Sequence, residues 1–425
     1  MRMWRTPFGS PENALIAATV CKVLVILLCY QNVIDHKNGP AGIRRGYGWY
    51  QLVSTMYRGD YSMLVQNGLS DLYDMSSESY RPPVYPMLLY AATRLSGCSA
   101  IVLVFLHSII TSTVAYFGYL LVKSSTCQRR SAVLCMWSLF LFPMNFLKSG
   151  SIDEAPLMMA FLLTALWLLG RYRNNQNRMV PLVLSGIVLG LSTMTRYTTV
   201  FVAVGLFAYI IIRPICRRSY KHALVFIFVY ALVLVPWVCR NYSIYGRPVL
   251  SVGSARLLLA TQSEDFIRSF PCEHVDAIER RFLRRFHESH GYLTQLSGPA
   301  LDREFKRYAV SEVRRAPVKF LRAMVTKLKV FIPYRYYPLE DSILKDILFV
   351  VPYSLTLLTF FWSVSMRRCF RTEHIMLLIS IVACVVPGLL YFMLSRHLYS
   401  IIVLMIVFAF ATWPARRTGE AVLMC

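Results

Sequence analysis

Carboxylates are the scarce side chains of this protein. Only 22 Asp and Glu stand against 46 Lys and Arg in 425 residues, and charged residues of both signs reach 16% where a soluble domain carries roughly a quarter. That shortage excludes a soluble enzyme and a disordered chain, since both rely on charge to stay in water. No CxxC pair occurs among the 11 cysteines. Cys21, Cys29, Cys135, Cys216, Cys239 and Cys384 lie in or beside apolar runs, so they read as small hydrophobes, not as zinc ligands, a redox pair or a disulfide framework. A Walker loop, a GxGxxG turn, an HExxH pair and a GxSxG elbow are all missing, which leaves soluble nucleotide and hydrolase chemistry unsupported. Nor is there a sequence repeat or a low-complexity tract, so the internal symmetry of many transporters is not visible.

Apolar residues are what the sequence has in excess. They make up 56% of it, and the mean hydropathy is +0.48. This composition belongs to a protein dissolved in a bilayer. The net charge of +24 does not point to nucleic acid, because the basic residues lie between apolar runs, where they orient helices and meet anionic headgroups.

A span needs about 20 mostly apolar residues, because lipid offers the backbone no hydrogen bonds. Ten segments fit that ruler: 12–33, 99–122, 132–147, 155–170, 180–195, 197–212, 222–239, 346–365, 375–394 and 397–413. The first is long enough to remain as an anchor, and no cleavable signal with a small-residue site precedes it. The stretch 84–96 is apolar but short, and is expected to lie in the interface or to re-enter. The loops alternate in charge. One side collects Arg2 and Arg5, then Lys123 and Arg129–Arg130, Arg171 to Arg178, Arg213 to Lys221, Arg367 to Arg371 and Arg416–Arg417, while the opposite short turns keep only Lys148, Arg196 and Arg396. Positive-inside insertion then places both ends in the cytoplasm. The expected fold is an all-α polytopic membrane protein of about ten transmembrane helices with a helical extracytoplasmic segment.

Three regions follow: an N-terminal membrane region over 1–239 with a first outer loop at 34–98, an extracytoplasmic segment at 240–345, and C-terminal spans over 346–425. The second region is no spacer. Ile278, Phe282 and Phe286, then Phe305, Tyr308, Ala309 and Val313, then Phe320, Leu321, Met324 and Leu328 recur at helical spacing. Ser297-Gly298-Pro299 divides two helices and Pro317 opens another. Basic residues on the other faces suit either a solvated cap or a surface that attracts a phosphate-bearing lipid.

The remaining polar side chains gather on the outer side. Asp153 and Glu154 directly precede the fourth span, where adjacent carboxylates either cap a helix N-terminus or offer a general base at a cavity mouth. Arg196 and Arg396-His397 occupy two short outer turns, where an arginine either snorkels to headgroups or holds phosphate by its bidentate fork. Lys22 is one of very few ionisable residues within a span, and is expected to reach the cytoplasmic interface or a helix partner. The sequon Asn241-Tyr242-Ser243 is too close to the seventh span for easy modification.

These pieces resemble a known arrangement. Tyr80-Arg81-Pro82-Pro83-Val84-Tyr85-Pro86 is similar to the RPPxYP segment of GT-C membrane glycosyltransferases of the dolichyl-phosphate-mannose-protein mannosyltransferase type, also called glycosyltransferase family 39. Gly190-Leu191 through Thr195-Arg196-Tyr197 resembles that family's hairpin. Pro236-Trp237-Val238-Cys239-Arg240-Asn241-Tyr242 with Gly246-Arg247 is similar to its exit from the seventh span. The run from Asp302-Arg303 to Pro333 resembles its outer helical segment, and Ser395-Arg396-His397-Leu398 stands at its Arg-Tyr or Arg-His turn. The resemblance spans about 80–400 and implies a GT-C fold with a cavity on the outer face. It also implies a polyprenyl-phosphate-linked sugar as donor, a lipid, glycan or protein acceptor, and membrane lipids as surroundings, with no nucleic acid.

One departure matters. The family places an essential Asp a few residues before a Tyr such as Tyr50, whereas Gly46-Tyr47-Gly48-Trp49 stands here. The nearest acids are Asp35, Asp60, Asp71 and Asp74, while Glu154 matches the acid that opens the family's fourth span. The catalytic candidates are therefore Asp35, Asp153 and Glu154, with Arg81, Arg196, Arg240, Arg396 and His397 for the donor phosphate. No cofactor is required with certainty, and a divalent metal stays open. Two rivals remain, a non-catalytic lipid-sugar-binding relative or accessory subunit and a polyprenyl-lipid flippase. The resemblance leans toward a bacterial inner membrane over the endoplasmic reticulum.

Overall fold

The computed structural model describes residues 10–28, 82–96, 100–126, 128–150, 153–174, 178–212, 219–251, 254–273, 275–296, 298–332, 343–367, 370–391 and 395–413. Among them the regular structure is helical. In chain order the helices are α1 (Pro11–Leu28), α2 (Val84–Ser96), α3 (Ala100–Thr126), α4 (Arg129–Leu141), α5 (Pro143–Ser149), α6 (Ala155–Asn174), α7 (Val180–Thr193), α8 (Thr199–Ile212) and α9 (Ser219–Tyr245). They continue with α10 (Ser254–Ala260), α11 (Glu264–Ser269), α12 (Val275–Ser289), α13 (Gly298–Arg315), α14 (Pro317–Leu328), α15 (Ile343–Ser365), α16 (Thr372–Leu390) and α17 (Ser395–Ala411).

Helices stand at each of the ten apolar segments read from the sequence. Length and composition qualify five of them as candidate spans: Val102–Thr126, Ala155–Arg173, Tyr220–Ser243, Asp346–Ser365 and Thr372–Leu390. A sixth follows if Arg129–Leu141 and Pro143–Ser149, bent by 54°, count as one. The protein is a multi-pass membrane protein, but ten complete crossings are not confirmed. The reason is reach. Val180–Thr193 and Thr199–Ile212 are 14 residues each, which gives about 21 Å of rise against a hydrocarbon core of about 30 Å. The bend between α4 and α5 also has a local cause. Pro143 opens α5, and Phe142 before it is held extended at φ −59° and ψ 123°, because a residue preceding proline clashes in the helical region.

α3 is the organising helix, packing against α1, α4, α6 and α17. Val114, Tyr119, Cys135, Leu163, Leu404 and Val407 share its core. α6 pairs in turn with α7, and α7 with α9. The last contact is close because Gly186 and Gly190 face α9 one turn apart. A Cβ on Gly190 would lie 2.7 Å from the Val233 Cβ, and one on Gly186 3.0 Å from the Phe226 carbonyl. Lipid offers no hydrophobic drive to pair helices, so close backbone approach through such small residues supplies the packing.

Lys22 finds a helix partner, not the cytoplasmic interface. Its Nζ donates to Thr111 Oγ1 at 3.0 Å and to the Asn145 carbonyl at 3.4 Å, and sits over the rings of Phe140 and Phe146. The segment between α9 and α15 folds as the periodicity predicts: a helix from Val275, a break before Gly298 and a new start at Pro317. It has its own small core of Ala255, Leu259, Leu283, Leu293, Leu301, Phe305 and Ala309. A buried pair, Arg256 Nε to Glu279 Oε1 at 3.2 Å, ties α10 to α12.

Gly190→Val should force α7 away from α9 and cost about 1–3 kcal/mol. Gly170→Ala, whose new methyl meets nothing closer than 3.9 Å, should be neutral or stabilising by up to about 1 kcal/mol. Thermal unfolding of the detergent-solubilised protein separates the two variants.

Candidate functional site

The site is assembled where α5, α6, α7, α8 and α17 end or begin. Asp153 sits just before α6. Its Oδ1 accepts the Ala155 amide at 2.8 Å, so it caps the helix. Its Oδ2 forms an ion pair with Lys148, in the last turn of α5. Both side chains are largely buried, at 7% and 16% exposed. Burial alone would raise the Asp153 carboxyl. The Lys148 ammonium and its hydrogen bond, the Ala155 amide and the Arg196 charge outweigh it and hold the group below the usual carboxylate range. Asp153 is thus held as an anion of low basicity, with its two oxygens engaged by the Ala155 amide and Lys148.

Its neighbour is not committed. Glu154 Oε1 lies 3.9 Å from Arg196 Nε, with both side chains about one-fifth exposed. That spacing is electrostatic contact without a hydrogen bond. Among the described residues nothing donates to the Glu154 carboxylate and no acceptor engages the Arg196 guanidinium. Arg196 is presented by the turn between α7 and α8. The Met194 amide donates to the Gly190 carbonyl at 2.8 Å, the Arg196 amide to the Ser192 carbonyl at 2.9 Å and the Thr199 amide to the Arg196 carbonyl at 3.2 Å. Thr199 Oγ1 donates to Thr193 Oγ1 at 3.1 Å across the turn.

Two further sequence motifs converge on this turn. The Val84 amide at the start of α2 donates to the Met194 carbonyl at 3.0 Å, which sets the Pro82-Pro83-Val84 segment against the Arg196 hairpin. Next to it, Tyr85 and His107 join at 2.7 Å. His107 Nδ1 is bonded to the Leu103 carbonyl at 2.7 Å and must donate there, so Nε2 accepts from the Tyr85 hydroxyl. From α9, Trp237 Nε1 donates to Tyr197 Oη at 2.9 Å and to the Leu250 carbonyl at 3.1 Å. Arg240 stacks over Trp237 with 4.6 Å to the ring centroid and donates to Asn241 Oδ1 at 3.0 Å. On the far side the N-terminal part of α17 approaches through Tyr399, whose hydroxyl donates to Asn145 Oδ1 at 2.7 Å. Asp153 lies within electrostatic reach of Tyr399 and of His107.

Of the residues singled out from the sequence, Asp153, Glu154 and Arg196 come together, and Arg240 joins them through Trp237 and Tyr197. Arg396 and His397 are helical in the first turn of α17; their side chains, with Asp35 and Arg81 altogether, lie outside the described residues. The sequence reading missed Lys148 as the partner of Asp153, although a lysine five residues before an aspartate across Gly150 was a usable signal. It also missed the Tyr85–His107 and Tyr399–Asn145 pairs, which join distant helices. Among the described residues no group of three or more His, Cys, Asp or Glu side chains could hold a metal ion.

Residues 80–239 match the sequence profile of the dolichyl-phosphate-mannose-protein mannosyltransferase family. No curated protein matches the chain by sequence. Its fold is similar to the archaeal oligosaccharyltransferase AglB from Archaeoglobus fulgidus, solved with an inhibitory peptide and a dolichol-phosphate. The TM-score is 0.55 at 14% identity over 95% of this chain and 50% of that one. The apo form of the Archaeoglobus fulgidus oligosaccharyltransferase superposes with a TM-score of 0.54 at 16% identity, over 96% and 50% of the two chains. The protein therefore spans about half the length of these structures. ArnT from Cupriavidus metallidurans, bound to undecaprenyl phosphate, reaches a TM-score of 0.40 at 10% identity over 94% and 77%. The architecture shared with the two oligosaccharyltransferase structures is the all-helical GT-C fold.

Because the Asp153 carboxyl is held below its unfolded range, its contribution to stability is complete above about pH 4 and disappears as pH falls through the lower folded value. Asp153→Asn strands the buried Lys148 and should cost about 3–5 kcal/mol. The melting-temperature gap between wild type and Asp153→Asn should stay constant from neutral pH down to about pH 5 and close only in stronger acid.

Proposed function

With residues 80–239 matching the dolichyl-phosphate-mannose-protein mannosyltransferases on a GT-C fold as the premise, we propose that the protein is an integral membrane glycosyltransferase. It moves a sugar from a polyprenyl-phosphate donor to a lipid, glycan or protein acceptor on the extracytoplasmic face. The supporting observation is the Glu154–Arg196 pair. These two groups of opposite charge lie 3.9 Å apart beside a carboxylate already neutralised by Lys148, and both keep their hydrogen-bonding capacity among the described residues.

The reaction asks for little beyond that. A lipid phosphate is already a good leaving group. Glu154 accepts the proton of the acceptor hydroxyl, and the freed oxygen bonds to the anomeric carbon as the bond from that carbon to the phosphate oxygen breaks. The phosphate departs with the bonding electrons, and its added charge is met by the Arg196 fork. Arg240, Arg396 and His397 reinforce the anion site, and Arg81 precedes the segment hydrogen-bonded to the Arg196 turn. Asp153 holds Lys148 and the start of α6 in place, so it positions Glu154 without touching the reacting atoms. Asp35 is the alternative base.

The test is transfer from a synthetic polyprenyl-phosphate sugar by the full-length protein in nanodiscs, with released lipid phosphate as readout. Glu154→Gln should lower turnover by about 10²–10⁴, and Arg196→Gln by about 10²–10³, with folding intact. Full turnover in both Glu154→Gln and Asp35→Asn would falsify the base assignment. Donor binding by the wild type without transfer to any acceptor would favour a non-catalytic lipid-sugar-binding protein, and movement of the donor across the bilayer without chemistry would favour a flippase.

A further inference from the structure

α14 is built inside out for a helix in water. Val318, Leu321, Val325 and Leu328 are exposed by 63, 58, 62 and 42%, and Ile332 just beyond them by 62%. Their spacing of three and four residues places them on one stripe. The opposite face is buried and holds Ala323, Thr326, Lys327 and Val330. Lys327 is wholly buried, and its Nζ donates to the Leu389 and Leu390 carbonyls at 2.9 Å each. It thereby satisfies the unpaired carbonyls at the last turn of α16. A lysine turned inward and four aliphatic side chains turned outward reverse the normal order of burial.

Charge and position identify what the stripe faces. Arg322 and Lys329 border it and are exposed, as are Arg314 and Arg315 at the end of α13. Among the described residues none of these four meets a carboxylate; the nearby Glu312 pairs with Lys319 at 3.6 Å. The next described helix carries a second exposed aliphatic face. Lys327 fastens α14 to the C-terminal end of α16, and in α15 Ile347, Val351, Leu355 and Leu358 are exposed by 54, 52, 58 and 68%.

We propose that α14 is an interfacial helix. It lies on the leaflet at the site-side end of the bundle, with its aliphatic stripe in the acyl boundary and Arg322, Lys329, Arg314 and Arg315 on lipid phosphates. The inference rests on exposure and charge alone, so it stands whether or not the protein transfers sugar. Lys327 moors the same helix to the end of α16, four residues of chain before the turn of α17 that carries Arg396.

The experiment uses full-length protein in nanodiscs of phosphatidylcholine and phosphatidylglycerol, carrying p-benzoylphenylalanine at Val325 or Leu321, with exposed Lys306 on α13 as the solvent control. After illumination, mass spectrometry should find phospholipid adducts at the two stripe positions and none at the control. Adducts to a second copy of the chain or to another segment of the same chain would overturn the proposal, as would yields at Val325 and Leu321 no higher than at Lys306. Omitting phosphatidylglycerol should lower the adduct yield, and Arg322→Gln with Lys329→Gln should weaken that dependence. Yields indifferent to headgroup charge in the unmodified background would contradict the role given to the basic flank.

Discussion

The Lys148–Asp153 ion pair is the constraint on which the site depends. Two adjacent carboxylates at the head of a largely buried helix repel each other, and in a medium of low dielectric both cannot stay ionised without compensation. Lys148 resolves this by taking one of them. With Asp153 neutralised and capping α6, Glu154 is left as the outward member of the doublet, facing Arg196 across a gap too wide for a hydrogen bond. The pair therefore does two things at once. It fixes the entry of α6, and it divides one doublet into an anchor and an uncommitted group.

The surrounding helices hold that arrangement in place. The α7–α8 turn carries Arg196 on two helices each too short to cross a bilayer alone, so the turn lies where α2, α6 and α9 can all reach it. Gly186 and Gly190 allow α7 to lie directly on α9, which brings Trp237 to Tyr197 and Arg240 to the same end. α14 extends the same economy outside the bundle, spending one buried lysine on the end of α16 and turning its aliphatic face outward. Among the described residues, Lys22 and Lys327 are set against backbone carbonyls and aromatic faces, and Lys148 and Arg256 each against a single acid.

Much of this was legible in the sequence, for physical reasons that can be named. Helix positions followed from apolar run length and period, and the breaks at Ser297-Gly298-Pro299 and Pro317 from the missing amide and fixed φ of proline. The convergence of Glu154 and Arg196 was legible because scarce charges in short turns between spans have few places to go. Other features depended on tertiary contact. No local pattern tells which span Lys22 leans on, or that Tyr399 meets Asn145, 254 residues away. The number of complete crossings is less legible from composition, since among the described residues five helices, or six with the bent pair, are long and apolar enough to cross. The fifth and sixth segments carry no charged residue, yet the turn at Met194 to Thr198 shortens both helices. Capping was one of the two options read for the Asp153–Glu154 doublet, and the bond from the Ala155 amide places Asp153 in that role.

The most direct measurement is the affinity of the full-length protein in nanodiscs for a polyprenyl monophosphate bearing no sugar, followed by the fluorescence of its tryptophans. If Arg196 holds the departing phosphate, Arg196→Gln should weaken binding by about 10- to 100-fold, the worth of charge-assisted hydrogen bonds. Glu154→Gln, which removes a negative charge beside the anion, should tighten it. Equal affinity in wild type and Arg196→Gln, or weaker binding in Glu154→Gln, would contradict the account.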